Sequence, residues 1–139
     1  MQWTGFILLL CSSMISCKND ENTKQEINTL PTGKWKITQL KNPQKSIVFD
    51  TTRPYFVEHY TKDSITITAE DNSLSGELIV VNKDSFKLET VAVSDVCCNS
   101  EAAKLLFSFF YGTLKYKQIE DKLILSSNKT LVTLEKTMK

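Results

Sequence analysis

Two adjacent thiols, Cys97 and Cys98, are the residues whose types and spacing point most directly to chemistry. They stand just before a segment with helical periodicity, and a helix N-terminus lowers a thiol pKa and raises its reactivity. Three fates are open to the pair: a vicinal disulfide, a bond to another chain, or burial as small apolar side chains. A redox or metal role competes with these, but two thiols fall short of the four ligands of a structural zinc site. The single histidine, His59, could act as base to such a thiol or ligate a metal; between Glu58 and Tyr60 it reads first as a half-exposed strand residue. Glu70, Asp71 and Asn72 could hold a cation, although two carboxylates beside a turn are ordinarily solvated. Tyr55, Phe56 and Tyr60, next to Arg53-Pro54, could line the mouth of a pocket or pack within a strand. The sequence contains no serine-nucleophile motif, no Gly-rich phosphate loop and no histidine pair, so the expectation is a protein that is not an enzyme.

A different chemistry belongs to Cys17. The apolar run Gly5-Phe6-Ile7-Leu8-Leu9-Leu10 leads to Met14-Ile15-Ser16-Cys17, and the chain then turns polar at Lys18-Asn19-Asp20-Glu21. The run is too short to span a bilayer, which takes about 20 residues, and it suits the apolar stretch of an export signal. The pattern resembles a bacterial lipoprotein signal peptide: Met14 at −3, Ser16 at −1 and Cys17 at +1 match its cleavage motif, while Met1-Gln2-Trp3 lacks the usual Lys or Arg. The resemblance implies removal of residues 1–16, a lipid on Cys17, no other cofactor and a membrane as partner. Two or more acyl chains anchor stably where one does not. Asp20 and Glu21 look like the acidic signal that sends some lipoproteins outward, so the expected location is the cell envelope, at the outer membrane on its periplasmic or surface face.

Positioning elements must come from the rest of the chain. Residues 17–31 read as a lipidated cysteine and a flexible tether, with Ile27 and Leu30 its only sizeable apolar side chains after Cys17. Residues 32–139 are then one domain, long enough for a single core. With 17 basic and 16 acidic residues the charge is balanced, and no basic stripe argues for nucleic acid. Cys11 leaves with the leader, so no long-range disulfide framework is available.

Alternation with period two marks strands at 34–38, 64–68, 85–89 and 122–126, with shorter ones at 47–49, 55–60, 78–81, 114–119 and 131–135. Asn82-Lys83-Asp84, Glu120-Asp121 and Asn128-Lys129 supply turns. One segment, 100–111, is helical instead. Ala102, Leu106, Phe109 and Phe110 fall on one face, Asn99 or Ser100 caps it, Glu101 suits its dipole, and Gly112 stands where a C′ glycine would end it. The fold class expected is β-rich α+β: a small antiparallel barrel-like or strongly twisted sheet of about eight strands with one helix.

The order of these elements resembles the META domain of the HslJ family over residues 30–136. The residues that carry the likeness are Asn72-Ser73-Leu74-Ser75-Gly76-Glu77-Leu78, then Asp84 to Leu88, Val91 to Ser94, Cys97, the helix with Glu101 and Phe107, and the closing Leu114 to Leu125. Asn72 and Gly76 match the family's motif turn, while Glu70 and Asp71 replace its Gly-Cys and Ser94 its Thr. The resemblance implies an exported or envelope protein with a binding or structural role and no catalytic residues. In that pattern a cysteine near Cys97 could meet the cysteine of the motif turn, but Asp71 stands there. An alternative likeness, through Gly33-Lys34-Trp35, is to a lipocalin-like barrel carrying a small apolar ligand.

Overall fold

The structure is a computed structural model describing residues 30–94, 96 and 98–138. The expected leader, Cys17 and most of the expected tether lie outside the described residues, as does Cys97. Nine strands and one helix follow in chain order: β1 (Gly33–Lys41), β2 (Ser46–Val48), β3 (Tyr55–Thr61), β4 (Ser64–Ala69), β5 (Asn72–Asn82), β6 (Ser85–Val93), α1 (Glu101–Phe110), β7 (Leu114–Ile119), β8 (Lys122–Ser127) and β9 (Thr130–Lys136). All pairings are antiparallel, and each strand from β3 to β8 pairs with the next. β1 pairs with β3 and also with β9, which closes eight strands into a barrel; β2 is the extra strand, laid along β1.

Alternation produces this closure because each strand has one apolar face to hide. Along β4, Ile65, Ile67 and Ala69 are buried while Thr66 and Thr68 face outward. Closing the sheet removes both free edges, which an open sheet would expose. The strand β1 serves two neighbours on one side. Gly33–Lys36 pair with β3 and Gln39–Lys41 with β2, and a register shift between Ile37 and Gln39 separates the two stretches. At that shift the Thr38 hydroxyl donates to the Thr133 carbonyl at 3.1 Å, and the Thr38 carbonyl accepts from Phe49 N–H at 3.0 Å.

The seam between β6 and β7 is the short one, with only Ser85–Lys115 and Phe86–Leu114 in register. The chain between these strands carries α1. Ser100 caps the helix as expected, its hydroxyl accepting from Ala103 N–H at 3.1 Å. Its end differs from expectation. Gly112 is not left-handed; Tyr111 closes the last turn by donating to the Ser108 carbonyl. The buried face is Ala103, Leu106, Phe107, Phe109 and Phe110, so three of the four residues expected there are buried, while Ala102 is only half-buried and Ala103 and Phe107 widen the face. These side chains join Trp35, Ile37, Ile67, Leu74, Phe86 and Leu125 in one core cluster. Burying a large apolar side chain contributes about 1.5–3 kcal/mol.

Two boundaries move. The expected tether ran to residue 31, but Leu30 is buried in the core and the Pro31 carbonyl accepts from Trp35 Nε1 at 3.3 Å. The stretch Asn72–Gly76, expected as a motif turn, is the first half of β5. The turn itself is Glu70-Asp71, with Glu70 at φ 59°.

Candidate functional site

The barrel has two unlike ends. At one, β3 begins and β4 stops, so that Tyr55 pairs with Ala69; at the other, Thr61 pairs with Ser64 across the Lys62-Asp63 turn. The first is the helix end. There Glu70 accepts from the Tyr55 hydroxyl at 2.6 Å, Arg53 Nη1 at 2.9 Å and Ser100 N–H at 3.2 Å. The Tyr55 hydroxyl foremost, then Ser100 and Arg53, hold this carboxyl at about 2 rather than 4.5, against burial pulling the other way. Burial foremost, then the bond to Glu70, raises Tyr55 above its ordinary value. Glu70 is therefore a clasp tying the helix N-terminus to the barrel wall. Among the described residues, no three His, Cys, Asp or Glu side chains gather as a metal group.

Asn72 makes a second clasp. Its side chain is buried, with Oδ1 accepting from Val96 N–H at 2.7 Å and Nδ2 donating to Asn99 Oδ1 at 2.7 Å. Ser94 adds to it by accepting from Ser73 N–H at 2.7 Å. Ser94, Val96 and Asn99, on the way to the helix, are thus stitched to the start of β5. Cys98 among them is exposed, and Cys97 lies outside the described residues. Gly76 has a packing reason. A Cβ there would meet the Glu89 carbonyl at 3.1 Å and Leu88 Cβ at 3.2 Å, next to the register shift between β5 and β6.

His59 is not the half-exposed strand residue expected. It follows Tyr55 and Val57 on the inward face of β3 and is 2% exposed. It pairs with Gly33, towards the Lys62-Asp63 end. Four residues of strand, about 13 Å, separate it from Tyr55 and the clasp beneath the helix. The fold therefore sets His59 and Cys98 at opposite ends, and does not bring them together. A carbonyl oxygen only accepts, so the contact of His59 Nδ1 with the Pro31 carbonyl at 3.3 Å makes Nδ1 the protonated nitrogen. The other nitrogen, Nε2, is buried without a hydrogen-bond partner among the described residues.

Beside His59 is a pocket of about 270 Å³ walled by Leu30, Leu78 and Val80, with Thr32, Lys62 and Asp63 completing it. Phe56 and Tyr60 lie elsewhere, in a broad outer groove with Lys34, Lys122, Glu135 and Lys136. Lys34 there pairs with Glu58 at 3.2 Å, and Lys122 with Glu135 at 3.6 Å. Tyr55 is buried in the clasp, apart from both pocket and groove. Sequence reading missed the inward setting of His59, although the parity of Tyr55 and Val57 carried the signal.

No family model matches the chain, and no curated protein matches it. Two solved structures are similar in fold. A protein from Burkholderia xenovorans, solved by NMR, superposes with a TM-score of 0.64 at 8% identity, over 81% of this chain and 87% of that one. A second protein solved by NMR gives a TM-score of 0.59 at 17% identity, over 78% of this chain and 92% of that one. Identities this low establish a shared fold alone.

Proposed function

We propose that this chain is an exported lipoprotein held to a bacterial envelope membrane by lipid on Cys17, with a small barrel domain in a binding or structural role and not an enzymatic one. The observation that carries the reading is the run from Gly5 to Cys17 followed at once by polar residues. The described domain supports it from the other side: from Leu30 onward the chain is built into a closed barrel with its own core. A domain with its own core can hang from a tether. Kinship with META/HslJ domains is part of the proposal, supported by the single helix falling late, between β6 and β7.

The lipocalin-like alternative gains from one specific observation, an eight-stranded antiparallel closure beginning at Gly33-Lys34-Trp35. Leu106, Phe107 and Phe110 belong to the core at the helix end, so a carrier of this shape takes its ligand at the other end. The test is cell fractionation. The wild-type chain is expected in the membrane fraction with fatty acid incorporated. The Cys17→Ser variant is expected to incorporate none and to keep its leader. Equal fatty-acid labelling of the two would defeat the proposal.

A further inference from the structure

We propose that a hollow on the outside of the barrel, at the helix end, binds one neutral sugar ring. The site deepens the binding role proposed above and rests on that role, but on neither the lipid nor the carrier alternative. It lies where the end of β1, one face of α1 and the β8–β9 turn meet, and measures about 320 Å³. That is the lower end of the usual range for ligand pockets, roughly 300–1,000 Å³, and suits a single ring. Charge gives the first selection. Charged residues make up 24% of the chain, and half of the ten residues lining the groove by Phe56 and Tyr60 are charged, yet none lining this hollow is. An ionised ligand finds no counter-charge in its walls.

Hydrogen-bonding capacity gives the second. Ser108, Ser127 and Thr130 bring hydroxyls and Asn128 an amide, groups that both donate and accept, as sugar hydroxyls do. Among the described residues none of these four side chains has a hydrogen-bond partner. Asn42 adds a donor. Its Oδ1 accepts from Gln44 N–H at 3.0 Å and Lys45 N–H at 2.7 Å, which leaves Nδ2 for a ligand. Leu105 and Phe109, four apart on α1, supply an apolar floor for the C–H face of a ring. Gly112 gives the third observation. Its φ lies outside the left-handed region, and a Cβ there would meet Ser127 Oγ at 3.5 Å, an ordinary contact. Neither conformation nor close packing calls for glycine, and what its missing side chain leaves open is the hollow.

The experiment is saturation-transfer NMR on the full chain as recovered from its cells, in a detergent without a sugar headgroup. The probes are the methyl glycosides of glucose, galactose and mannose, together with N-acetylglucosamine. At least one is expected to bind saturably at millimolar concentration, as suits a ligand of so few atoms. Gly112→Leu puts a side chain into the hollow and is expected to abolish the signal. Ser108→Ala combined with Thr130→Val removes two hydroxyls and is expected to weaken binding roughly tenfold or more. Melting curves confirm that each variant is folded, and the double variant decides the matter where Gly112→Leu is not. Silence from all four probes, or binding unchanged in a folded variant, would overturn the site. So would glucuronate or glucosamine binding roughly tenfold more tightly than the neutral sugars. Sugar binding by a chain without lipid would remove the anchor and leave the site standing; a lipidated chain that binds no probe would lose the site and keep the anchor.

Discussion

Phe110→Ala is expected to destabilise the domain by about 3–5 kcal/mol, the usual cost of removing a buried ring. Phe110 is 0% exposed and meets Phe109 edge-on at 5.4 Å, at the end of the barrel that α1 closes. Removing it leaves a void where helix and sheet meet, and the rigid strands around it cannot collapse to fill it. For a domain of this size the melting temperature falls by ~15 °C or more. Tyr111→Ala, one residue on and 60% exposed, is the matched control and is expected to change stability by less than about 0.5 kcal/mol. Thermal melts of the three proteins read the difference. Comparable small losses in both variants would mean that α1 packs loosely and does not seal the barrel.

Glu70→Gln is expected to produce a stability loss that depends on pH. The folded carboxyl sits at about 2 and the ordinary value is 4.5. A depressed value means the folded state favours the charged form. The contribution is complete above pH 4.5 and is lost as pH falls towards 2. Its size is on the order of 2–3 kcal/mol, since the Glu70 side chain is only 10% exposed even though Arg53 is 63% exposed. The Tyr55 hydroxyl and Ser100 N–H therefore supply more of the contribution than the solvent-screened guanidinium does. Denaturant midpoints should place the variant below wild type at pH 7, with the gap closing by about pH 2. A gap that stays constant between those values would show that the carboxylate's charge plays no part in the clasp.

Much of this architecture is written in local alternation. Ile65-Thr66-Ile67-Thr68 and Leu123-Ile124-Leu125 reveal their strands because every second side chain is apolar and buried. The same rule under-reads strands whose inward positions are polar or small. In β5 the inward residue Asn72 satisfies the backbone of Val96 and the side chain of Asn99, which are far along the chain. Four polar or small residues, Asn72, Ser73, Ser75 and Gly76, therefore look like a turn. β6 runs past its expected end through Thr90, a β-branched residue at φ 52°, close to the register shift opposite Gly76. The helix was legible from Ser100, Glu101 and its phenylalanines. The closing pairs between β1 and β9 were not, because Trp35–Lys136 and Lys41–Leu131 are partners across the whole domain and leave no local mark.

The candidate site divides in the same way. The proposed leader and the lipid proposed on Cys17 are read from sequence alone because such signals lie in a linear stretch of chain. The pocket at His59 is not, because it is assembled from Leu30, His59 and Leu78, three segments that only the barrel brings together. The adjacent thiols were visible in sequence, but His59, which could have served one of them as a base, faces inward at the other end of β3 from the segment that carries Cys98.

The central claim is that a lipid on Cys17 ties this barrel to a membrane, and the intact mass of the protein extracted from its own cell membranes tests it most directly. The account predicts a chain that begins at Cys17 and carries the added mass of acyl groups there. A chain retaining residues 1–16, unmodified and recovered in the soluble fraction, would contradict it.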